Sequence, residues 1–176
     1  MFRRRDFIAG IGALAFTGTA KGNPQFDMSS LGLARPPMAI EAPVLDVPDL
    51  DGSMHRTSDY HGKVVLVSFW ATWCPPCRKE MPSLARLSRD MPSEAFAVLA
   101  VNVGDKKQKV QTFLNEIDHE GLSVLLDSNS VLPSRWFIRG LPVSYLLDRN
   151  GSVAYGAIGG REWDAPKMKE GLLSLV

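Results

Sequence analysis

The sequence predicts one α/β domain in which helices flank a central mixed β-sheet. Two nearly continuous apolar runs rich in β-branched residues, 64–70 and 96–103, are typical of strands buried on both faces. Each run is followed by a segment with apolar residues at helical spacing, the alternation expected of a parallel sheet. Later, residues 143–147 and 152–158 flank Asp148-Arg149-Asn150-Gly151 and predict an antiparallel hairpin. Parallel strands followed by a hairpin give a mixed sheet.

Shorter patterns predict the remaining elements. Residues 44–47 and 53–56 flank Asp51-Gly52, which predicts a β-hairpin at the start of a domain that we place at 43–176. Further helices are predicted at 81–91, 106–120, 131–137 and 163–175, and a further strand at 122–126. Residues 21–42 mix Pro and Gly without a sustained period, so we interpret them as a linker.

The first twenty residues have the pattern of an export signal. Three arginines at 3–5 precede an uncharged apolar stretch at 7–19, which is shorter than the roughly 20 residues that span a bilayer. Arg4-Arg5-Asp6-Phe7-Ile8 resembles a twin-arginine signal, although Arg3 and Ala9 depart from that pattern. A cleaved signal, with a small-residue site ending at Ala20, and an uncleaved anchor both remain open.

Charge argues against nucleic-acid binding. The chain carries a net charge of +1, and residues 1–20 contribute three arginines and one aspartate, a net +2, so the rest is near −1. Without a basic block, binding to nucleic acid is unsupported. The roughly 156 residues that remain are enough for one domain with its own core, and we expect a monomer.

Cys74 and Cys77, the only two cysteines, lie where the strand at 64–70 leads into a helix. A cysteine at a helix N-terminus is stabilised as a thiolate by free N–H groups and the helix dipole, so its pKa can fall below about 8.5. Cys77, one turn later, could then resolve a mixed disulfide formed at Cys74. A purely structural disulfide is a weaker interpretation, because so short a loop removes little entropy from the unfolded chain.

A metal site is the other reading of a Cys-x-x-Cys pair. A closed zinc site needs further ligands, and the three histidines, His55, His61 and His119, show no paired spacing, so no metal site is predicted. Soft thiolates do suit Cu(I), which keeps a copper-handling assembly chaperone as the alternative function.

These motifs resemble the thioredoxin superfamily, and more closely its exported TlpA/ResA/CcmG branch. The resemblance covers roughly residues 42–175. It rests on Phe69-Trp70-Ala71-Thr72-Trp73-Cys74, on Glu80 and Pro82 after the second cysteine, and on Gly140-Leu141-Pro142 before the late hairpin. It implies a thioredoxin-like fold, with the first hairpin as an N-terminal extension.

The resemblance also implies roles for particular residues. Cys74 would be the attacking thiolate and Cys77 the resolving thiol, so the only redox group would be their disulfide, without a cofactor. Pro142 would follow a cis peptide bond beside that disulfide, and Glu80 would transfer protons from an apolar cleft; a solvated surface glutamate paired with Arg78 or Lys79 is the alternative. The residues expected to contact substrate are Trp73, Pro75, Pro76 and Leu141.

Two departures limit what the resemblance implies. Ser68 stands where thioredoxin has an acidic residue, so proton handling is expected to fall to Glu80 or water. Val143 stands where the cytochrome-c-maturation subgroup has Glu, which weakens an assignment to haem-ligating thiols.

The sequence therefore predicts an extracytoplasmic thiol–disulfide oxidoreductase that mainly reduces disulfides of other exported proteins. Cytochrome c or oxidase assembly is one setting in which such clients occur. By resemblance, its electrons would come from a membrane protein of the DsbD/CcdA kind. Its location would be periplasmic or otherwise extracytoplasmic, and if the N-terminus is not cleaved it would tether the protein to the inner membrane.

Overall fold

The computed structural model describes residues 26–176, and the predicted export signal lies outside these residues. Its central sheet has five strands in the order β5-β4-β3-β6-β7, and a separate two-stranded sheet pairs β1 with β2. The strands are β1 Asp46–Pro48, β2 Met54–Arg56, β3 Val64–Trp70, β4 Phe96–Val103, β5 Ser123–Asp127, β6 Val143–Leu147 and β7 Val153–Ile158. The helices are α1 Pro75–Asp90, α2 Lys107–Leu114, α3 Leu132–Arg135 and α4 Pro166–Leu173.

Strand β3 is the centre of the sheet, and each of its residues is buried. It pairs in parallel with β4, Val64 opposite Phe96, and antiparallel with β6, Val65 opposite Leu147. The predicted mixed sheet is therefore confirmed. A continuous apolar run fits this position because both faces of the strand are covered.

The two faces of β3 contribute to two different apolar clusters, as the alternation of side chains along a strand requires. Leu66 and Trp70 belong to a cluster with the apolar side of α1, represented by Leu84. Val67 and Phe69 belong to a second cluster, which includes residues of β1 and of α3. Trp70 is fully buried, so it is a packing residue.

Both predicted hairpins are present and are closed by an aspartate and a glycine. In the first, Asp49 Oδ1 accepts N–H bonds from Asp51 and Ser53, and Gly52 has φ 91°. In the second, between β6 and β7, Asp148 Oδ1 accepts N–H bonds from Asn150 and Ser152, and Gly151 has φ 83°. Glycine fits both turns because it adopts positive φ without steric strain.

Residues 27–42, predicted as part of a linker, lie against the domain instead. Met28 and Leu33 are each 2% exposed, and the backbone of Ala34 exchanges two hydrogen bonds with that of Gly156 in β7. A 3₁₀ helix, Met28–Leu31, packs on α4 where a Cβ on Gly171 would approach Leu31 Cδ1 to 2.9 Å. This segment lacks a sequence period because one short helical turn and isolated β-bridges anchor it, rather than a long helix or strand.

Three predicted helices are shorter in the structure. Helix α2 ends at Leu114 rather than at 120, and the chain continues in turns towards Gly121, which has φ 75°. Helix α3 covers four residues, and Phe137 after it adopts a left-handed φ of 54°. Helix α4 begins at Pro166, because a proline at the first helical position gives up no hydrogen bond.

Candidate active site

Cys74 is the N-cap of helix α1, at the place where the chain leaves β3 through a short turn. Its Sγ accepts the backbone N–H of Cys77 at 3.3 Å, and Pro75 and Pro76 occupy the first turn. Prolines suit these positions since their missing N–H groups would have no partner within the helix. The local sequence thus places Cys74 at the positive end of the helix dipole, where a thiolate is favoured.

The two cysteines are joined as a disulfide that is almost enclosed. Cys77 has no exposed surface and Cys74 is 3% exposed. The neighbouring residues Trp73, Pro75 and Pro76 are exposed, Trp73 to 66%. An incoming sulfur therefore meets Cys74 first, within an apolar rim formed by these three side chains.

Pro142 enters the site at the start of β6. The Leu141-Pro142 peptide bond is cis, as the family resemblance implied. Val143 pairs with Phe69, so Pro142 lies beside the end of β3 from which the cysteine turn departs. Its carbonyl oxygen accepts the N–H of Gly159 at 2.9 Å. Leu141 is half-buried. One part of its side chain packs against both apolar clusters, and the rest is exposed to solvent.

Glu80 is buried inside the site rather than solvated on the helix surface. It is 2% exposed, and its carboxylate accepts hydrogen bonds from the Ser68 hydroxyl at 3.1 Å and from the Arg161 N–H at 3.2 Å. Arg78, the surface partner considered in the alternative, pairs with Glu116 at 2.8 Å. Glu80 also lines a cleft of about 270 Å³ that opens beside Pro76.

Burial raises the pKa of Glu80 from an ordinary value of 4.5 to about 7, because desolvation disfavours the charged form. The hydrogen bonds from Arg161 and Ser68 oppose this shift and are outweighed. The Nε1 of Trp163 is buried and meets no hydrogen-bond partner within residues 26–176, so Glu80 gains no hydrogen bond from it. A carboxyl group with this pKa can both donate and accept a proton near neutral pH.

Ser68 has a part that the sequence did not predict. Its hydroxyl donates to Glu80 and accepts a hydrogen bond from the Ser144 hydroxyl at 3.0 Å, so three buried polar groups form a chain across β3 and β6. Ser68 and Ser144 face each other in the strand register. The sequence analysis did not identify Ser144 as a site residue. The signal that could have found it is the presence of one serine in each of two otherwise apolar strands, Ser68 in β3 and Ser144 in β6.

Asp105 is a second residue that sequence reasoning missed. It lies after β4 and accepts hydrogen bonds from the Thr72 N–H at 2.8 Å, from Asn102 Nδ2 at 3.1 Å and from Lys109 Nζ at 2.7 Å. Burial alone would raise the pKa of Asp105, but these hydrogen bonds outweigh burial and hold it below its ordinary value. Asp105 therefore fixes the turn that carries Trp73 and Cys74.

No group of three or more His, Cys, Asp or Glu side chains in residues 26–176 has the arrangement of a metal site. The copper alternative therefore rests on the two thiols alone. Within the same part of the chain, no helix is both long enough and apolar enough to cross a membrane.

Comparison with known proteins places the chain in a family. Residues 38–156, more than half of the sequence, match the AhpC/TSA family. The chain belongs to the AhpC/TSA family. Within it, the resemblance to the TlpA/ResA/CcmG branch is confirmed by thiol-disulfide oxidoreductase ResA of Geobacillus thermodenitrificans, which is 37% identical over 114 residues. That match spans 64% of this chain and 64% of the length of the relative.

Solved structures of similar proteins confirm the thioredoxin-like fold of this family member. A Chlorobium tepidum protein assigned as thiol:disulfide interchange protein DsbE is 32% identical, with a TM-score of 0.70, and the match covers 78% of this chain and 97% of that one. The pneumococcal exposed lipoprotein thioredoxin Etrx1 of Streptococcus pneumoniae is 26% identical, with a TM-score of 0.65, covering 75% and 99%.

Proposed function

We propose that this protein is an extracytoplasmic thiol–disulfide oxidoreductase that mainly reduces disulfides in other exported proteins. The observation that carries the proposal is the Cys74–Cys77 disulfide at the N-terminus of α1, with Cys74 as the outer sulfur. Relatives named as thiol-disulfide oxidoreductase and thiol:disulfide interchange protein support the same chemistry.

The proposed reaction begins with the reduced protein. The Cys74 thiolate attacks one sulfur of a client disulfide, so a mixed disulfide forms, the client S–S bond breaks and one client thiolate leaves. Cys77 loses its proton and attacks Cys74 Sγ, which forms the Cys74–Cys77 bond and releases the second client thiolate. The client gains two electrons, and the protein loses two.

Glu80 is proposed to accept the proton of Cys77 in the second step. It lies three residues after Cys77 on α1, a spacing that puts both side chains on one helix face. Its pKa of about 7 allows it to hold that proton at neutral pH and to pass it to the cleft at its side. Ser68 supplies a hydroxyl rather than a carboxylate, so Glu80 is the acid that we propose for the proton path.

Client binding is proposed to use the apolar rim and the cis-proline loop, residues 140–142. Trp73, Pro75 and Pro76 offer exposed apolar surface around Cys74. The backbone before Pro142 could pair with an extended client segment by strand addition, with Leu141 contributing its exposed part. A bulky residue at this point would favour clients with small residues beside the target cysteine.

The setting of the reaction is inferred from the N-terminal pattern and from one relative. Residues 1–20 have the features of an export signal, and Etrx1 is described as an exposed lipoprotein. An extracytoplasmic reductant needs a supply of electrons, for which we propose a membrane donor of the DsbD/CcdA kind. Cytochrome c or oxidase assembly is the proposed setting for its clients.

A trapping experiment tests this function. In a Cys77→Ala variant the mixed disulfide at Cys74 cannot be resolved, so clients should accumulate as adducts that a reductant releases. The doubly substituted Cys74→Ser, Cys77→Ala protein is the matched control and should capture none. Adducts in both proteins, or disulfide exchange by a Cys74→Ser variant, would exclude the mechanism.

The direction of exchange is tested by equilibration with glutathione. A reductant should have a potential toward the thioredoxin end of the known range, about −270 mV, rather than toward the oxidising end near −120 mV. A value near the oxidising end would overturn the reductant assignment while leaving the exchange chemistry intact.

A further inference from the structure

Arg161 joins two segments that are far apart in sequence. Its Nη1 donates to the carbonyl oxygens of Leu31 and Gly32 at 3.1 and 3.2 Å. Its Nη2 donates to those of Ile158 and Gly159 at 3.1 and 3.4 Å. One half-buried guanidinium thus holds the N-terminal segment against the loop that follows β7, and its planar fork is what allows four carbonyls to be reached at once.

The loop 159–161 contacts three parts of the active site. The N–H of Gly159 donates to the carbonyl oxygen of Pro142 at 2.9 Å. Gly160 lies so close to the first turn of α1 that a Cβ on Gly160 would come to 3.0 Å from the Pro76 carbonyl oxygen. The N–H of Arg161 donates to Glu80 Oε2 at 3.2 Å.

We propose that Arg161 is a positioning residue that sets the proton affinity of Glu80 and seats the loop 159–161 against the redox site. Its backbone supplies a hydrogen bond to the carboxylate, and its side chain holds that backbone in place by binding the N-terminal segment. This inference rests on the proposed function for its kinetic part only, because the titration of Glu80 can be followed without any exchange activity.

The charge of Arg161 acts in the same direction as its hydrogen bond. Both favour the ionised form of Glu80, against burial. The other charged groups that line the Glu80 cleft are Lys79 on α1 and Glu162, the residue that follows Arg161. Glu162 is 69% exposed on its side chain and lies 3.7 Å from Arg86, while β3 presents only the neutral Ser68.

Arg35 provides a matched control. It also anchors the N-terminal segment, since its Nη2 donates to Tyr155 Oη at 2.6 Å and its guanidinium lies 4.8 Å from the centre of that ring. It is absent from the cleft that Glu80 lines. An Arg35→Gln variant removes one anchor of the same segment but keeps the four hydrogen bonds of the Arg161 side chain and each charge that lines the Glu80 cleft.

The test compares Arg161→Gln, Arg161→Lys and Arg35→Gln in the full chain, with two measurements. The first is the titration of Glu80 in the oxidised protein, followed by NMR with ¹³Cδ-labelled glutamate. We expect the midpoint to rise by about half to one pH unit in Arg161→Gln, by less in Arg161→Lys, which keeps the charge, and not in Arg35→Gln.

The second measurement is the rate at which the reduced proteins reduce oxidised glutathione. We expect a two- to tenfold loss in both Arg161 variants, since neither Gln nor Lys can hold four carbonyls, and a parental rate in Arg35→Gln. Parental midpoints together with parental rates in the Arg161 variants would overturn the proposal. If Arg161→Gln does not fold, a parental rate in Arg161→Lys overturns it alone. A parent protein that reduces no disulfide would instead refute the proposed function, while the Glu80 midpoints would still decide the role of Arg161.

Discussion

Replacing Glu80 by Gln should remove a pH-dependent loss of stability. Between pH 4.5 and about 7 the unfolded chain has released the proton of Glu80 while the folded protein retains it, because burial raises the pKa of Glu80 to about 7. The folded state then binds more protons, so the free energy of unfolding falls as pH rises. A raised pKa of this size corresponds to about 3 kcal/mol, at 1.36 kcal/mol for each factor of ten in proton affinity.

The assay is urea denaturation of the oxidised parent and Glu80→Gln proteins from pH 4 to pH 8.5 at constant ionic strength. Titrating groups shared by the two proteins cancel in the difference between their unfolding free energies. Placing an uncharged amide between Ser68 and Arg161 also changes the free energy of unfolding, by an amount that does not depend on pH. We expect the variant to gain about 3 kcal/mol relative to the parent across this range, with most of the change between pH 4.5 and 7.

Glu116→Gln is the matched control for this experiment. Glu116 is exposed, and its ion pair with Arg78 should contribute less than about 1 kcal/mol. The reasoning about Glu80 is refuted if the difference between the Glu80→Gln and parent proteins changes by less than about 1 kcal/mol between pH 4 and pH 8.5. A pH midpoint near 4.5 for the change in this free-energy difference would likewise show that burial does not raise the proton affinity of Glu80.

Two further predictions concern residues that support the site. Asp105→Ala leaves the buried N–H of Thr72 without a partner, so we expect a loss of about 2–3 kcal/mol at pH 7 in urea denaturation. Since the pKa of Asp105 is lowered by folding, that loss should shrink as pH falls below the ordinary aspartate value; an unchanged loss at pH 3 would contradict the assignment. Gly160→Ala should push the loop from Pro76 and slow glutathione reduction several-fold, whereas Gly140→Ala, where no atom lies within 4 Å of the added Cβ, should keep the parental rate.

The fold followed closely from contiguous sequence. The all-buried β3 and the turn at Asp148 and Gly151 were predicted because each depends on residues that are neighbours in the chain. The placement of Cys74 at a helix N-terminus followed in the same way, from an apolar strand at 64–70 that leads into a segment with helical spacing. The ends of α2 and α4 were less accurate, since helical spacing continues through residues that the structure holds in turns.

The environment of Glu80 was decided by tertiary structure. Its partners Ser68 and Arg161 are separated from it by 12 and 81 residues, and Ser144 joins the chain across 76 residues. Which of these groups meet depends on the pairing of β3 with β6 and on the path of the loop after β7. No local pattern encodes such a meeting, because a hydrogen bond between distant residues forms only once the strands have paired.

The sequence alone therefore determined the chemistry available to this protein: two cysteines at a strand–helix junction, a proline before a late strand, and a glutamate one turn after the second cysteine. The tertiary structure decided how that chemistry is tuned. It buried the glutamate and seated it against a serine chain and a loop held by Arg161. The physical reason is that spacing along one element fixes which groups share a face, whereas desolvation depends on every element packed around them.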